Sequence, residues 1–261
     1  VFGVLNQVYA KSRCIFIKNI DFRDADKLVT VFSERDGKFR AIAKGVKKPN
    51  SSLRASVQPF ANAFLFFSPS KELGLITQGR VLDFYGNIRD DINLSLNAIY
   101  IMELLDKSLL DNVPIPRLYN HTLEILALIN EKEVEFNPLI IRYYEMNLLK
   151  ELGYRPVLDY CIKCRVPNNS LVAISVSEGG AVCSNCIKQT TYNYKLSGES
   201  LAILKLLTNA PINTILRVKP SNTAKSQVEL VLEKYLEYHL ERKFKVKDTI
   251  KKLKEKLQVS N

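Results

Sequence analysis

The chain has 261 residues, room for one large domain or two smaller ones, and its 46% hydrophobic and 25% charged content excludes a disordered, collagen-like or rod-like polymer. Lys and Arg number 38 against 27 Asp and Glu, a formal net charge of +11 that favours polyanions, nucleic acid first and an anionic membrane surface second. No stretch approaches the ~18 apolar residues of a membrane helix, and the apolar start at 1–10 lacks the basic residues and cleavage site of a signal peptide, so a cytoplasmic location is expected.

From Cys14 to about Tyr85, short apolar and β-branched runs alternate with turn residues, as in Cys14-Ile15-Phe16-Ile17 and Leu28-Val29-Thr30-Val31-Phe32, then 39–43, 60–67 and 73–82. This pattern predicts about five strands, and Asp36-Gly37 between two of them supplies the positive backbone angles of a tight hairpin turn. Five strands in this length fit a closed barrel of the oligonucleotide-binding (OB) type. Cys14, at the start of an apolar run, reads as a small buried hydrophobe.

Between Gly37 and Arg54 lie Lys38, Arg40, Lys44, Lys47, Lys48 and Arg54, with no Asp or Glu among them. Lys38 and Arg40 share a strand face by period two, and the segment Lys44-Gly45-Val46-Lys47-Lys48-Pro49-Asn50-Ser51-Ser52 reads as a flexible cationic loop. Such a loop can follow a phosphate backbone and displace its counterions, which makes these six cations the candidate DNA contacts. Phe39, Phe60, Phe64, Phe66 and Phe67 are available for stacking on bases, although strand alternation buries about half of any such set. Asp21, Asp24 and Asp26 are interspersed with Arg23 and Lys27 and read as a solvated turn; a magnesium-dependent nuclease built on them is a competing reading.

From Asn87 the period becomes helical, with Ile92, Leu96, Ile99, Met102 and Leu105 at spacings of three and four. A second helix is predicted over 116–130, and a third opens at Asn137-Pro138 and closes at Gly153. Beyond a cysteine-rich insert, Ser197 caps a helix over 201–207, and a long amphipathic segment covers 224–244. The end, 248–258, carries Ile250, Leu253 and Leu257 on one face among Lys247, Lys251, Lys252, Lys254 and Lys256. The expected class is α+β: an OB barrel over 1–86, a helical domain over 87–158 and 191–261, and a metal-binding insert over 159–190.

That insert holds Cys161, Cys164, Cys183 and Cys186 in a C-x2-C pattern repeated after an 18-residue spacer. Two residues between thiolates let both reach one ion from a tight turn, and four cysteines complete tetrahedral zinc with no open position. A closed shell implies one structural Zn2+ ion; two disulfides, disfavoured in a reducing cytosol, and four unrelated free thiols are the competing readings. Gly179-Gly180 before the second pair suits the hairpin of a zinc ribbon.

Catalytic signatures are missing. Neither His121 nor His239 has a cysteine or second histidine at ligand spacing, and no phosphate-binding loop, dinucleotide fingerprint or H-E-x-x-H helix occurs. The chain is therefore expected not to be an enzyme.

The order of features resembles the RecO family. The resemblance runs from Asp26-Lys27-Leu28-Val29-Thr30-Val31-Phe32-Ser33 and Asp36-Gly37-Lys38 to Ala43-Lys44-Gly45-Val46-Lys47-Lys48-Pro49, Leu53-Arg54 and Gln58-Pro59-Phe60. It continues through Leu152-Gly153-Tyr154-Arg155-Pro156, Leu158-Asp159, both cysteine pairs with Gly179-Gly180-Ala181-Val182, and Tyr235-Leu236-Glu237-Tyr238-His239-Leu240. Asn50 stands where the family commonly has a further basic residue, and Arg165 where a small residue often follows the second cysteine.

The resemblance implies an OB fold, a helical domain and a zinc ribbon, in a bacterial, nucleoid-associated protein of DNA repair and recombination. It implies binding of single- and double-stranded DNA, strand annealing, cooperation with RecR, and binding of the acidic tail of single-strand-binding protein so that RecA loads at gaps. Arg142, Lys150 and Arg155 are the candidate cations for that tail, around an apolar groove of the helical domain. A zinc-ribbon RNA-binding accessory of translation or transcription is the alternative, separable by dependence on 2′-hydroxyls.

Overall fold

The structure, a computed structural model, describes residues 10–70, 73–131, 136–167, 171–250 and 252. The opening segment 1–9 lies outside the described residues, as do Lys251, Leu253, Lys254, Lys256 and Leu257 of the basic tail. No helix among the described residues is long and apolar enough to cross a membrane.

Five strands form the expected barrel: β1 (Ala10–Phe22), β2 (Asp26–Ser33), β3 (Gly37–Ala43), β4 (Asn62–Ser68) and β5 (Gly74–Asp83). They close in the order β1-β2-β3-β5-β4, with β3 and β5 parallel and the remaining pairs antiparallel. Alternate residues point inward, so Cys14, Phe16, Val29, Val31, Phe39, Ala41, Leu65, Phe67 and Ile76 fill one core. Phe39 and Phe67 stack in it at 4.7 Å between ring centroids. The Cys14 thiol is fully buried there, and desolvation pushes its pKa up, away from reactivity.

The β2–β3 connection is a three-residue turn, 34–36, tied by Ser33, whose Oγ donates to Asp36 Oδ2 and accepts from the Arg35 and Asp36 N–H groups. Gly37 follows with φ +74°, and a Cβ there would lie 2.4 Å from the Val113 backbone, so the position demands glycine twice over. The same approach lets the Asn112 N–H donate to the Lys38 carbonyl at 2.8 Å.

Two compact units result, one of residues 1–134 with 244–261 and the other of residues 135–243. Secondary structure changes from strand to helix between β5 and α1 (Gly86–Asp90), whereas compactness divides the chain after α2 (Ile92–Ser108) and α3 (Pro116–Asn130). The physical reason is side-chain packing. Ile15, Ile17 and Phe32 are buried, Phe32 lies edge-on to Tyr119 of α3 at 5.6 Å, and the Tyr119 hydroxyl donates to Asn62 Oδ1 at 3.0 Å. The inward face of α2 departs from expectation: Ala98, Ile101, Met102 and Leu105 are buried, but Ile92 and Ile99 are exposed.

In the second unit α4 (Leu139–Glu151) begins as its sequence requires, with Asn137 Oδ1 accepting the Leu139 N–H at 2.9 Å. It ends at Gly153, where the Gly153 and Tyr154 N–H groups donate to the Lys150 and Leu149 carbonyls in a Schellman pattern. The insert forms a three-stranded sheet, order β7-β6-β8, from β6 (Leu171–Ser175), β7 (Gly180–Cys183) and β8 (Asn193–Lys195). Helices α5 (Gly198–Asn209), α6 (Ile212–Arg217) and α7 (Asn222–Leu240) follow, with Ser197 Oγ capping α5 through the Ser200 N–H. The six residues of α6 are too few to register as a period in the sequence.

Candidate metal knuckle and nucleic-acid interface

The two cysteine pairs converge. Their four Sγ atoms lie within 4.8 Å of one another, and Cys164 and Cys183 are 3.7 Å apart. Thiolates about 2.3 Å from a shared tetrahedral ion would stand about 3.8 Å apart, so the donor set and its spacing fit a metal ion. All four are free thiols rather than disulfides. Among the described residues this is the only group of three or more His, Cys, Asp or Glu close enough to share an ion; Asp21, Asp24 and Asp26 are not brought together in that way.

Local backbone geometry builds the knuckle. The Arg165 N–H donates to the Cys161 carbonyl at 2.9 Å, closing the first turn with Arg165 itself at φ +62°, and its guanidinium covers the Tyr160 ring at 4.7 Å. In the second pair, the Cys186 N–H donates to the Cys183 carbonyl. Gly180 lets the sheet meet the preceding segment, since a Cβ there would lie 2.7 Å from the Val157 carbonyl oxygen. Cys161, Cys183 and Cys186 are buried beside Ala173 and Val182, with Ile162, Val166, Leu171 and Ile187 packed around them.

The thiols differ in acidity. Burial would raise the Cys161 pKa, but hydrogen bonds from the backbone of Cys164, Cys183 and Lys163, together with the Cys164 thiol, bring it down to about 6. The hydrogen bond with Cys164, then burial, pushes Cys186 up to about 12. One thiolate therefore forms readily, while a complete thiolate set needs a cation at its centre.

The basic segment is ordered differently from the flexible loop its composition predicts. Residues 44–60 wind through successive turns, pinned by Val46, Leu53 and Val57, which enter the barrel core. Buried Asp26 accepts the Gly45 N–H at 2.7 Å, and the Lys47 N–H donates to the Ala25 carbonyl at 3.0 Å. Arg40, Lys44, Lys48 and Arg54 are exposed. Lys47 is half-buried and lies 3.1 Å from Asp21. Lys38 is turned inward: its Nζ donates to the Asp106 carbonyl at 2.7 Å and lies 3.3 Å from Asp111.

Among the aromatic candidates Phe39, Phe60 and Phe67 are core residues. Phe64 and Phe66 lie on the outer face of β4, edge to face at 5.5 Å, and Phe66 is 39% exposed. Linear reading missed Lys11, Arg35 and Arg80, which come from β1, the β2–β3 turn and β5 to the same region. Their separation in sequence leaves no charge run to notice.

In the second unit Arg142 is buried, 3.1 Å from Glu145 and 3.9 Å from Glu229, whereas Lys150 and Arg155 are exposed. Arg155 donates to Asn209 Oδ1 at 2.9 Å at the edge of a hollow lined by Pro156, Val157, Leu158 and Tyr160. His121 contacts Glu124 at 3.3 Å on α3, and His239 packs among Tyr154, Tyr235 and Tyr238.

Comparison with known proteins matches both halves of this architecture. Residues 7–85 match the family described as Recombination protein O N terminal, and residues 89–248 match Recombination protein O C terminal. A DNA repair protein RecO from Syntrophomonas wolfei is 51% identical over 247 residues, 95% of this chain and 98% of the relative. Proteins of the same description from Desulforamulus reducens and Oceanobacillus iheyensis are 32% and 36% identical, over 93% and 86% of this chain and 94% and 85% of their own lengths. With both family regions matched and relatives alike along nearly their whole length, the chain belongs to the RecO family of DNA repair proteins.

Proposed function

We propose that the protein is a recombination mediator that binds single- and double-stranded DNA, anneals complementary strands and, with RecR and single-strand-binding protein, helps RecA load at gaps. It works without bond chemistry, by reversible neutralisation of phosphates. The observation that carries this reading is the ordered, carboxylate-free segment from Gly37 to Arg54, which offers Arg40, Lys44, Lys48 and Arg54 to solvent on a barrel of OB topology. Cations held on a firm surface lower the repulsion between two strands without a large ordering cost at each encounter.

In this reading the functional parts are the barrel over 1–86, the helical portions over 87–158 and 191–261, and a zinc ribbon over 159–190. One structural Zn2+ ion would be held by Cys161, Cys164, Cys183 and Cys186, fixing the insert as a closed four-thiolate shell. The acidic tail of single-strand-binding protein would be received at the hollow beside Arg155, with Lys150, exposed in the last turn of α4, as the second candidate cation. Arg142 contributes to packing, since Glu145 and Glu229 already neutralise it.

The test is strand annealing in the presence of single-strand-binding protein, alongside salt-dependent binding, for wild type and a Lys44→Ala/Lys48→Ala/Arg54→Ala variant. Loss of three phosphate contacts should lower the salt slope by about 2 on single strands and about 3 on duplex, and slow annealing. An unchanged slope rejects the segment as the contact. Preference for RNA over DNA of matched length would move the chain to the RNA-binding alternative.

A further inference from the structure

The outer face of β1, β4 and β5 carries a second arrangement suited to nucleic acid, built from residues outside the basic segment at 37–54. Strand register places Phe64 of β4 between Arg13 of β1 and Arg80 of β5, and Phe66 between Lys11 and Gln78. Directly paired residues share a sheet face with Cβ atoms about 5 Å apart, so each ring has polar or cationic neighbours on both sides. Leu82 and Arg35 border the same shallow hollow.

The charges there are unevenly committed. Arg13 Nε donates to Glu34 at 2.9 Å, and that bond holds the Glu34 carboxylate below its ordinary pKa, so the two form a neutral pair at the rim. Lys11, Arg35 and Arg80 are exposed, and no described residue forms an ion pair with any of them. A large apolar ring open to water, with exposed cations on the same face, has a chemical complement: a flat π-face attached to an anionic backbone.

We propose that this face is a stacking platform for single-stranded nucleic acid, with Phe66 and the edge of Phe64 receiving bases and Lys11, Arg35 and Arg80 holding the adjoining phosphates. Two separate seats, the basic segment for one strand and this platform for the other, would let one barrel hold two strands at once. An acidic peptide is the competing occupant. It is disfavoured because the rings lie on an open sheet surface with cations to both sides, rather than in an enclosed pit.

The inference rests on the reading that the barrel binds DNA, and the variants separate the two. Binding of a labelled oligothymidylate of about 15 nucleotides, a length one OB fold can cover, is compared with that of an abasic strand of equal length. Phe66→Ala should weaken oligothymidylate binding about tenfold and leave the abasic strand unaffected, while Phe66→Trp should keep or improve affinity. Lys11→Ala with Arg80→Ala should lower the salt slope on single strands by about 1.4. Both effects should persist in the Lys44→Ala/Lys48→Ala/Arg54→Ala background, whose own loss reports on the basic segment alone. Unchanged oligothymidylate affinity in Phe66→Ala overturns the platform, as does an equal loss on the abasic strand. So does a loss confined to an acidic peptide probe.

Discussion

The cysteine knuckle and the basic segment hold their polar groups in opposite ways. In the knuckle four thiols converge within 4.8 Å, three of them buried, and backbone hydrogen bonds aim at one sulfur. In the segment 44–60 apolar side chains point inward to the barrel core, while Lys44, Lys48 and Arg54 point outward. Convergent ligands suit one small ion with fixed geometry, whereas divergent cations suit a long polyanion whose shape varies. The knuckle is thus sensitive to any single ligand, and the segment to its anchors more than to any single charge.

The largest effect should come from breaking convergence. If the four thiols hold the proposed zinc ion, Cys161→Ser should abolish its stoichiometric binding and cost on the order of several kcal/mol of stability, read by metal analysis and thermal unfolding. Protons compete with the ion for the thiolates, so metal binding should weaken as pH falls. In the metal-free protein the folded-state Cys161 pKa, lowered from 9.0 to about 6, gives stabilisation that is full above the ordinary thiol value and lost as pH falls through about 6. Unfolding stability of the metal-free protein that stays constant as pH falls through about 6 would contradict this.

A smaller effect is expected where the segment meets the core. Leu53→Ala removes a buried side chain and should cost about 2–4 kcal/mol in denaturant unfolding. The number of phosphate contacts should survive, so the salt slope stays near wild type. A slope that collapses with stability would show that the cations depend on a tighter fit than divergence requires.

Asp26→Ala should cost about 1–2 kcal/mol, because the Gly45 N–H would lose its buried acceptor. Hydrogen exchange at Gly45 and Lys47 should quicken locally if the carboxylate pins the turn.

The finest discrimination lies between two neighbours on one strand face. Lys38→Ala should cost about 1 kcal/mol of stability through its lost bond to Asp106, with little change in salt slope. Arg40→Ala should do the reverse, leaving stability within about 0.5 kcal/mol and lowering the slope by about 1. Identical behaviour of the pair would erase the distinction between an anchoring and an available cation.

The sequence by itself determined the features whose cause is local. Alternating strands, the caps at Asn137 and Ser197, the extent of α3 and the spacing of the cysteines all follow from near neighbours along the chain. A C-x2-C pair reaches one ion through its own turn, which is why the knuckle is legible in linear form. Tertiary structure decided which charges remain available. Lys38 and Arg142 look like other cations until Asp106, Asp111, Glu145 and Glu229, some of them distant in sequence, meet them in space. It also turned Ile92 and Ile99 outward and gathered Lys11, Arg35, Arg80 and Phe66 onto one face. Periodicity states that a face exists, but what covers it depends on long-range packing and strand register, which no local window contains.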